Sequence, residues 1–201
     1  MPYADRGKYC AAWPRTNSVE MESQIRIVPV NTVDAAFLNR LGVCLEERFL
    51  ASARVERSLV VPRSTLNATR GQLFVTTLTS KVRRAHPDQD AVVLAITDFD
   101  LYKTSHRFVF GDADEAQGIA VASIHRLRSD FYGEPSDTNA LFQRTLKESI
   151  HELGHAFGLK HCYNARCVMY YSNSIFETDN KMSHFCEICD RRLSRARNEQ
   201  A

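Results

Sequence analysis

No stretch of this sequence approaches the ~20 apolar residues that a membrane-spanning helix needs, and no membrane partner is expected. Charge of one sign is not in excess either. Its 26 Lys and Arg stand against 24 Asp and Glu, for a formal net charge of +2. Such a balance exerts no strong pull on nucleic acid or on an acidic surface, so no nucleic-acid partner is expected. Internal repeats and low-complexity tracts are also missing. The first residues, MPYADRGKYCAAWPRTNSVEME, lack the continuous apolar core of a secretory signal and lack core periodicity. Residues 1–21 read as a flexible leader, with a folded chain that begins in effect at Met21. A cytoplasmic setting follows. In a reducing compartment, six cysteines are better taken as thiols or metal ligands than as disulfides.

The bulk composition is that of an ordinary globular protein, with 44% hydrophobic and 25% charged residues. Its 201 residues suffice for one domain with a real core. Apolar alternation predicts a strand over Gln24–Val30. Asn31 or Thr32 is placed to cap a helix from about Val33 to Leu50. A short strand at Ser58–Val61 and a helix over Gly71–Ala85 follow. The run AVVLAIT at 91–97 reads as a strand buried on both faces. Phe108–Phe110 and Ile119–Leu127 read as further strands, joined by the polar loop GDADEAQG. That loop and the earlier TDFD lack the ligand spacing of a calcium loop and are taken as solvated acidic turns. The order implies an α+β fold with a twisted, partly parallel sheet. The locally basic RRLSRAR reads as a solvated helix end.

Asp137 or Thr138 opens the best-defined helix, which ends near Phe157. Phe142, Leu146, Ile150, Leu153 and Phe157 form its apolar stripe, at spacings of four, four, three and four. On the far side it carries HELGH. His151 and His155 lie about 40° apart around the helix, so both imidazoles reach one metal. Glu152 is placed as a general base beside the metal's water rather than as a ligand. The pattern extends to HELGHAFGLKH, in which Gly158 lets the chain turn and bring His161 back as a third ligand. Three protein ligands leave a fourth position open, the mark of a catalytic zinc. A core helix with satisfied histidines accounts for one such residue but not for this whole set.

Four cysteines follow: Cys162, Cys167, Cys186 and Cys189. The last two form a CxxC, half of a structural zinc site, and the first two are available for the other half. A redox pair is the competing reading of CxxC, but no strand–CxxC–helix pattern surrounds it. His161 and Cys162 are adjacent, and in extended chain they face opposite sides. One can then face the catalytic metal and the other the structural one. His184 is read as a surface residue, Cys44 as a small core residue, and Cys10 has no partner spacing.

With Met169 in CVMYY placed as a methionine beneath the metal, HExxHxxGxxH resembles the metzincin zinc motif. The immediate cysteine of HELGHAFGLKHC, then CVM and CEIC, narrows the resemblance to the archaemetzincins. These motifs span Ser149 to Cys189, and no motif position departs from the pattern. The resemblance implies a metzincin-like domain over 22–201, cut by a cleft into an upper part to about 158 and a lower part from about 159. It implies two zinc ions, one catalytic on His151, His155 and His161, one structural on Cys162, Cys167, Cys186 and Cys189. It also implies peptidase activity, aminopeptidase-like in some members, on short peptide substrates. A tyrosine two residues after the methionine, here Tyr171, approaches the metal in some metzincins. The strand at Ile119–Leu127 is the one expected to pair with an extended peptide, which would bring His125 and Arg126 near substrate. The rival readings are a non-catalytic, zinc-stapled protein-binding module and a hydrolase of another amide bond. Oligomeric state is not readable from the sequence.

Overall fold

A five-stranded sheet forms the centre of the molecule. The structure is a computed structural model and describes residues 24–88 and 90–200; the expected leader and Cys10 lie outside the described residues. The elements run β1 (Gln24–Val30), α1 (Ala35–Phe49), β2 (Ser52–Val55), β3 (Leu73–Phe74), α2 (Val75–Ala85), β4 (Val92–Thr97), β5 (Leu101–Lys103), β6 (His106–Val109), β7 (Gly111–Asp114), β8 (Ile119–Ser123), α3 (Thr138–Ala156), α4 (Ile175–Asn180) and α5 (Glu187–Gln200). The main sheet has the order β2-β1-β4-β8-β7. Its first four strands are parallel, and β7 runs antiparallel along β8. The α+β expectation with a mixed sheet therefore holds.

Alternation along the strands explains why they read as continuous apolar runs. Ile25, Ile27, Leu94, Ile96, Ala120 and Ala122 face α1 and α3. Val28, Val30, Val93, Ala95, Ile119 and Val121 face the other way, with α2. Both faces are covered, so neither alternate set is polar. The predicted stripe of α3 supplies Phe142, Leu146, Ile150, Leu153 and Phe157 to the first core. Each such side chain removed from water contributes about 1.5–3 kcal/mol.

Several sequence expectations move. Helix α1 is capped by Asp34, whose carboxylate accepts the Phe37 N–H at 2.6 Å, not by Asn31 or Thr32. Asn31 is committed elsewhere, with a positive φ and a two-way amide pairing to the Val61 backbone. Helix α2 starts at Val75 because Leu73 and Phe74 pair with β5 instead. Ser58–Val61 contributes only a bridge between Leu59 and Val30, and β2 is the strand beside β1. Part of the acidic loop is strand β7, and its acids are engaged: Asp112 with Lys103, Asp114 with Gln117, Glu115 with Lys160. Asp100 of the earlier acidic turn is held by Arg126. Strand β8 ends at Ser123 and passes into a short 3₁₀ turn, His125–Leu127. Cys44 is buried as expected, yet it is disulfide-bonded rather than a thiol. No described helix is long and apolar enough to cross a membrane.

Candidate metal centre

Helix α3 positions the first two histidines, and both of its ends are firmly set. Asp137 caps it, accepting the Asn139 and Ala140 N–H groups at 2.8 and 2.9 Å. At the other end Gly158 adopts φ 90°. The Gly158 N–H donates to His155 O and the Leu159 N–H to Gly154 O, both at 2.9 Å. This double closure needs a left-handed residue at Gly158, and it turns the chain back toward His161.

The ring nitrogens of His151, His155 and His161 fall within 4.8 Å of one another. His151 Nδ1 lies 2.8 Å from Val168 O, and His155 Nδ1 lies 2.7 Å from Leu159 O. A carbonyl oxygen only accepts, so both Nδ1 atoms carry the proton. Both Nε2 atoms then present lone pairs, and they face each other at 3.1 Å. Two acceptors at that distance repel unless a cation sits between them. Ligands on a tetrahedral zinc stand about 3.4 Å apart for nitrogen, close to the spacing found. Burial, chiefly, lowers the pKa of all three rings, most strongly for His151. They therefore stay neutral, as metal ligands must be.

Glu152 is buried beside them. Burial, then the nearby Glu148 and Asp112 carboxylates, push its carboxyl well above the usual range, with Lys181 and Lys103 acting the other way. A buried carboxyl of this kind, beside a metal-binding group, is of the type that can accept and return a proton. Two glycines make room here. A Cβ on Gly111 of β7 would lie 2.6 Å from Glu152 Cγ. One on Gly154 would lie 2.5 Å from Met169 Sδ, so Met169 sits directly under the HELGH turn, where the sequence motif placed it.

Cys162, Cys167, Cys186 and Cys189 bring their sulfurs within 4.8 Å of one another, and His184 is not part of the group. Cys162 Sγ and Cys186 Sγ are 3.8 Å apart, matching the edge of about 3.8 Å for a tetrahedral zinc–thiolate site. Backbone N–H groups of Asn164 and Cys186 donate to the sulfurs of Cys162 and Cys167. Burial opposes ionisation of Cys186, but hydrogen bonds from the Cys189 backbone and the other thiols outweigh it and bring its pKa to about 7. Burial and neighbouring cysteines push Cys167 and Cys189 up. Four thiolates cannot coexist here without a cation, and the donor set fits zinc. The Cys162 N–H also donates to Met169 O at 2.9 Å, which ties both centres to one turn.

A cleft of about 510 Å³ opens over the histidines, lined by β6, β7, Lys103, Glu148, Tyr171, Ser172 and Asn173. Tyr171 packs its ring 4.8 Å from that of His161 and places its hydroxyl 3.0 Å from His106 Nε2. His125 and Arg126 lie elsewhere. His125 lines a second cavity, and Arg126 holds Asp100 in a two-point pair at 2.7 and 2.8 Å. Nor does β8 offer an edge to a peptide, because β4 and β7 occupy both of its sides. The edge strand beside the cleft is β7, which the sequence hid in an acidic loop. Gly111, His106 and Glu148 were also missed. Only Glu148 had a visible signal, as a polar residue one turn before Glu152 on the histidine face.

An upper mixed sheet, a zinc-motif helix under it and a methionine turn beneath the helix together define the architecture of a metzincin-class metallopeptidase. The description "Peptidase family M54" matches residues 48–195. An archaemetzincin of Methanocaldococcus jannaschii is 38% identical over 173 residues, covering 86% of this chain and 94% of that one. An archaemetzincin of Thermococcus kodakarensis is 50% identical over 125 residues, which cover 62% of this chain and 66% of its own length; a Pyrococcus furiosus relative is matched over 53% of its length. The chain thus spans about half to two thirds of those first relatives. The crystal structure of an archaemetzincin from Methanopyrus kandleri superposes with a TM-score of 0.77 at 30% identity, covering 89% of this chain and 97% of that one. A zinc-dependent peptidase from Methanocorpusculum labreanum gives 0.76 at 28%, covering 84% and 99%. The chain belongs to peptidase family M54, the archaemetzincins.

Proposed function

We propose that this chain hydrolyses peptide bonds with a catalytic zinc on His151, His155 and His161 and a structural zinc on Cys162, Cys167, Cys186 and Cys189. The observation that carries the reading is the pair of facing Nε2 lone pairs, 3.1 Å apart, beside the buried Glu152. Zinc, when bound, polarises a scissile carbonyl and makes water acidic enough to attack near neutral pH. Glu152 holds that water, takes its proton on the carboxylate and returns the proton to the departing amine nitrogen. The active unit is taken to run from about residue 22, with an upper part to 158 and a lower part from 159.

Short peptides, in an aminopeptidase-like manner, are the proposed substrates. The His106–Tyr171 hydrogen bond supports this, because both residues line the cleft and it joins β6 to the segment carrying Tyr171. A cytoplasmic setting belongs with this reading through the four free cysteines of the cluster, while the Cys44 disulfide argues the other way.

The test is the zinc-to-protein ratio by non-denaturing mass spectrometry, together with peptide hydrolysis, for the natural chain and Glu152→Gln. Two zincs in both proteins are expected, with turnover lowered by about 10²–10⁴-fold in the variant. Undiminished turnover in Glu152→Gln would overturn the role of Glu152. A two-zinc protein that cleaves no peptide would favour the zinc-stapled binding module.

A further inference from the structure

Glu148 lies on α3 four residues before Glu152, on the same face and about 6 Å away along the helix axis. An extended peptide advances about 3.3 Å per residue, so Glu148 is within reach of a side chain flanking the scissile bond. It lines the cleft although it is only 3% exposed. One oxygen is taken: Oε1 accepts the Thr178 hydroxyl at 2.9 Å and lies 3.0 Å from Lys181 Nζ. The lysine contact is a charge pair at an angle outside hydrogen-bond geometry. Oε2 receives no hydrogen bond from any described residue.

The surroundings of Glu148 are equally specific. Lys181 is wholly buried, which is rare for a lysine. Ser172 Oγ, in the wall of the same cleft, is buried with no hydrogen-bond partner among the described residues. Lys147 Nζ donates to the carbonyls of Thr178 and Asp179, at 3.0 and 2.8 Å, and pins the segment carrying Thr178 against α3. A buried charge pair is no better for stability than well-packed apolar residues of the same volume. Stability therefore does not account for placing one beside the cleft.

Resting on the peptidase reading above, we propose that Glu148, Ser172 and Asn173 form a subsite that selects a neutral side chain bearing hydrogen-bond donors, an amide or a hydroxyl, with Lys181 as its buried counter-charge. Lys181 cancels the charge of Glu148, so a cationic side chain would bring an unmatched positive charge toward Lys181. An anionic one would face Glu148 and Glu152. An apolar one would leave Glu148 Oε2 and Ser172 Oγ without a hydrogen bond. A neutral donor satisfies both. Sites that hydrogen-bond a substrate group reject isosteres lacking it far more strongly than apolar pockets reject an added methylene.

The experiment compares kcat/KM for peptides differing by isosteric pairs, Thr against Val and Gln against Met, at each position flanking the cleaved bond. Zinc content is checked for every protein. For the natural chain, one position is expected to prefer Thr and Gln by about tenfold or more. Replacing the pair together, Glu148→Leu with Lys181→Met, gives an apolar pocket and is expected to reverse that preference. Glu148→Gln alone keeps the shape and leaves Lys181 unmatched, so peptides with Asp or Glu at that position should gain several-fold. Cleavage by the natural chain with no preference at any position, or an unchanged preference in these variants, overturns the subsite. A two-zinc natural chain that cleaves none of the peptides overturns the peptidase reading itself, and the subsite with it.

Discussion

An added methyl at Gly111 would sit 2.5 Å from the Val121 carbonyl oxygen and 2.7 Å from Glu152 Oε1. The carbonyl is ladder backbone and cannot retreat, so the strain falls on the Glu152 side chain. Gly111→Ala should therefore displace Glu152 while leaving the histidines in place. Hydrolysis is expected to fall at least tenfold with the zinc count unchanged; loss of zinc would show that the glycine serves the ligands instead. The histidines make a second prediction. Their pKa values are lowered in the folded chain, from 6.5, so the unfolded chain takes up protons first as pH falls. Stability of the zinc-free protein should then decrease from about pH 6.5 downward. Glu152 opposes this, since its raised pKa makes the folded state bind a proton earlier. Thermal melts of the zinc-free Glu152→Gln protein isolate the histidines, and a melting point independent of pH between 7 and 5 would contradict their neutrality. The grouping of the three histidines and of the four cysteines was legible because the spacing that metal chemistry demands is visible in the sequence. Gly111 was not, because a sequence does not show which strand a glycine will lie against.

Helix α3 was readable from the sequence because three signals agreed: the apolar stripe, Asp137 at one end and Gly158 at the other. Asp137→Ala removes the one oxygen that accepts two N–H groups and should cost about 1 kcal/mol, measured by denaturant unfolding. Strand β7 was hidden because only four residues, Gly-Asp-Ala-Asp, make it, and the pairing with β8 rather than any apolar pattern holds it straight. The β5–β6 hairpin was blurred for the same reason, being short and half exposed. Its histidine makes an element-level prediction. His106→Ala removes the hydrogen bond to Tyr171 that links two walls of the cleft. Cleavage of ten-residue peptides should rise relative to three-residue ones; an unchanged ratio would mean the contact does not limit substrate length.

Across the molecule, the two proposed metal centres share one short turn. Val168 O receives His151, Met169 O receives the Cys162 N–H, and Cys167 lies beside both. Emptying the cysteine site should thus weaken the histidine site. Cys186→Ser with Cys189→Ser is expected to drop the zinc count from two and to lower affinity for the remaining ion by on the order of tenfold or more. Retention of the second zinc at full affinity would separate the centres. The helices of the lower part were not foreseen, since α4 has six residues and α5 is largely charged. Here a cluster of four cysteines replaces the apolar periodicity on which such reading depends. The order of the ligands along the chain also sets a timetable. During synthesis the helix with His151 and His155 leaves the ribosome well before Cys186 and Cys189, which complete the cysteine group. On the peptidase reading proposed above, a nascent chain would hold the histidine group before the cysteine group beside it could close, so hydrolytic competence would arrive only once Cys186 and Cys189 had emerged.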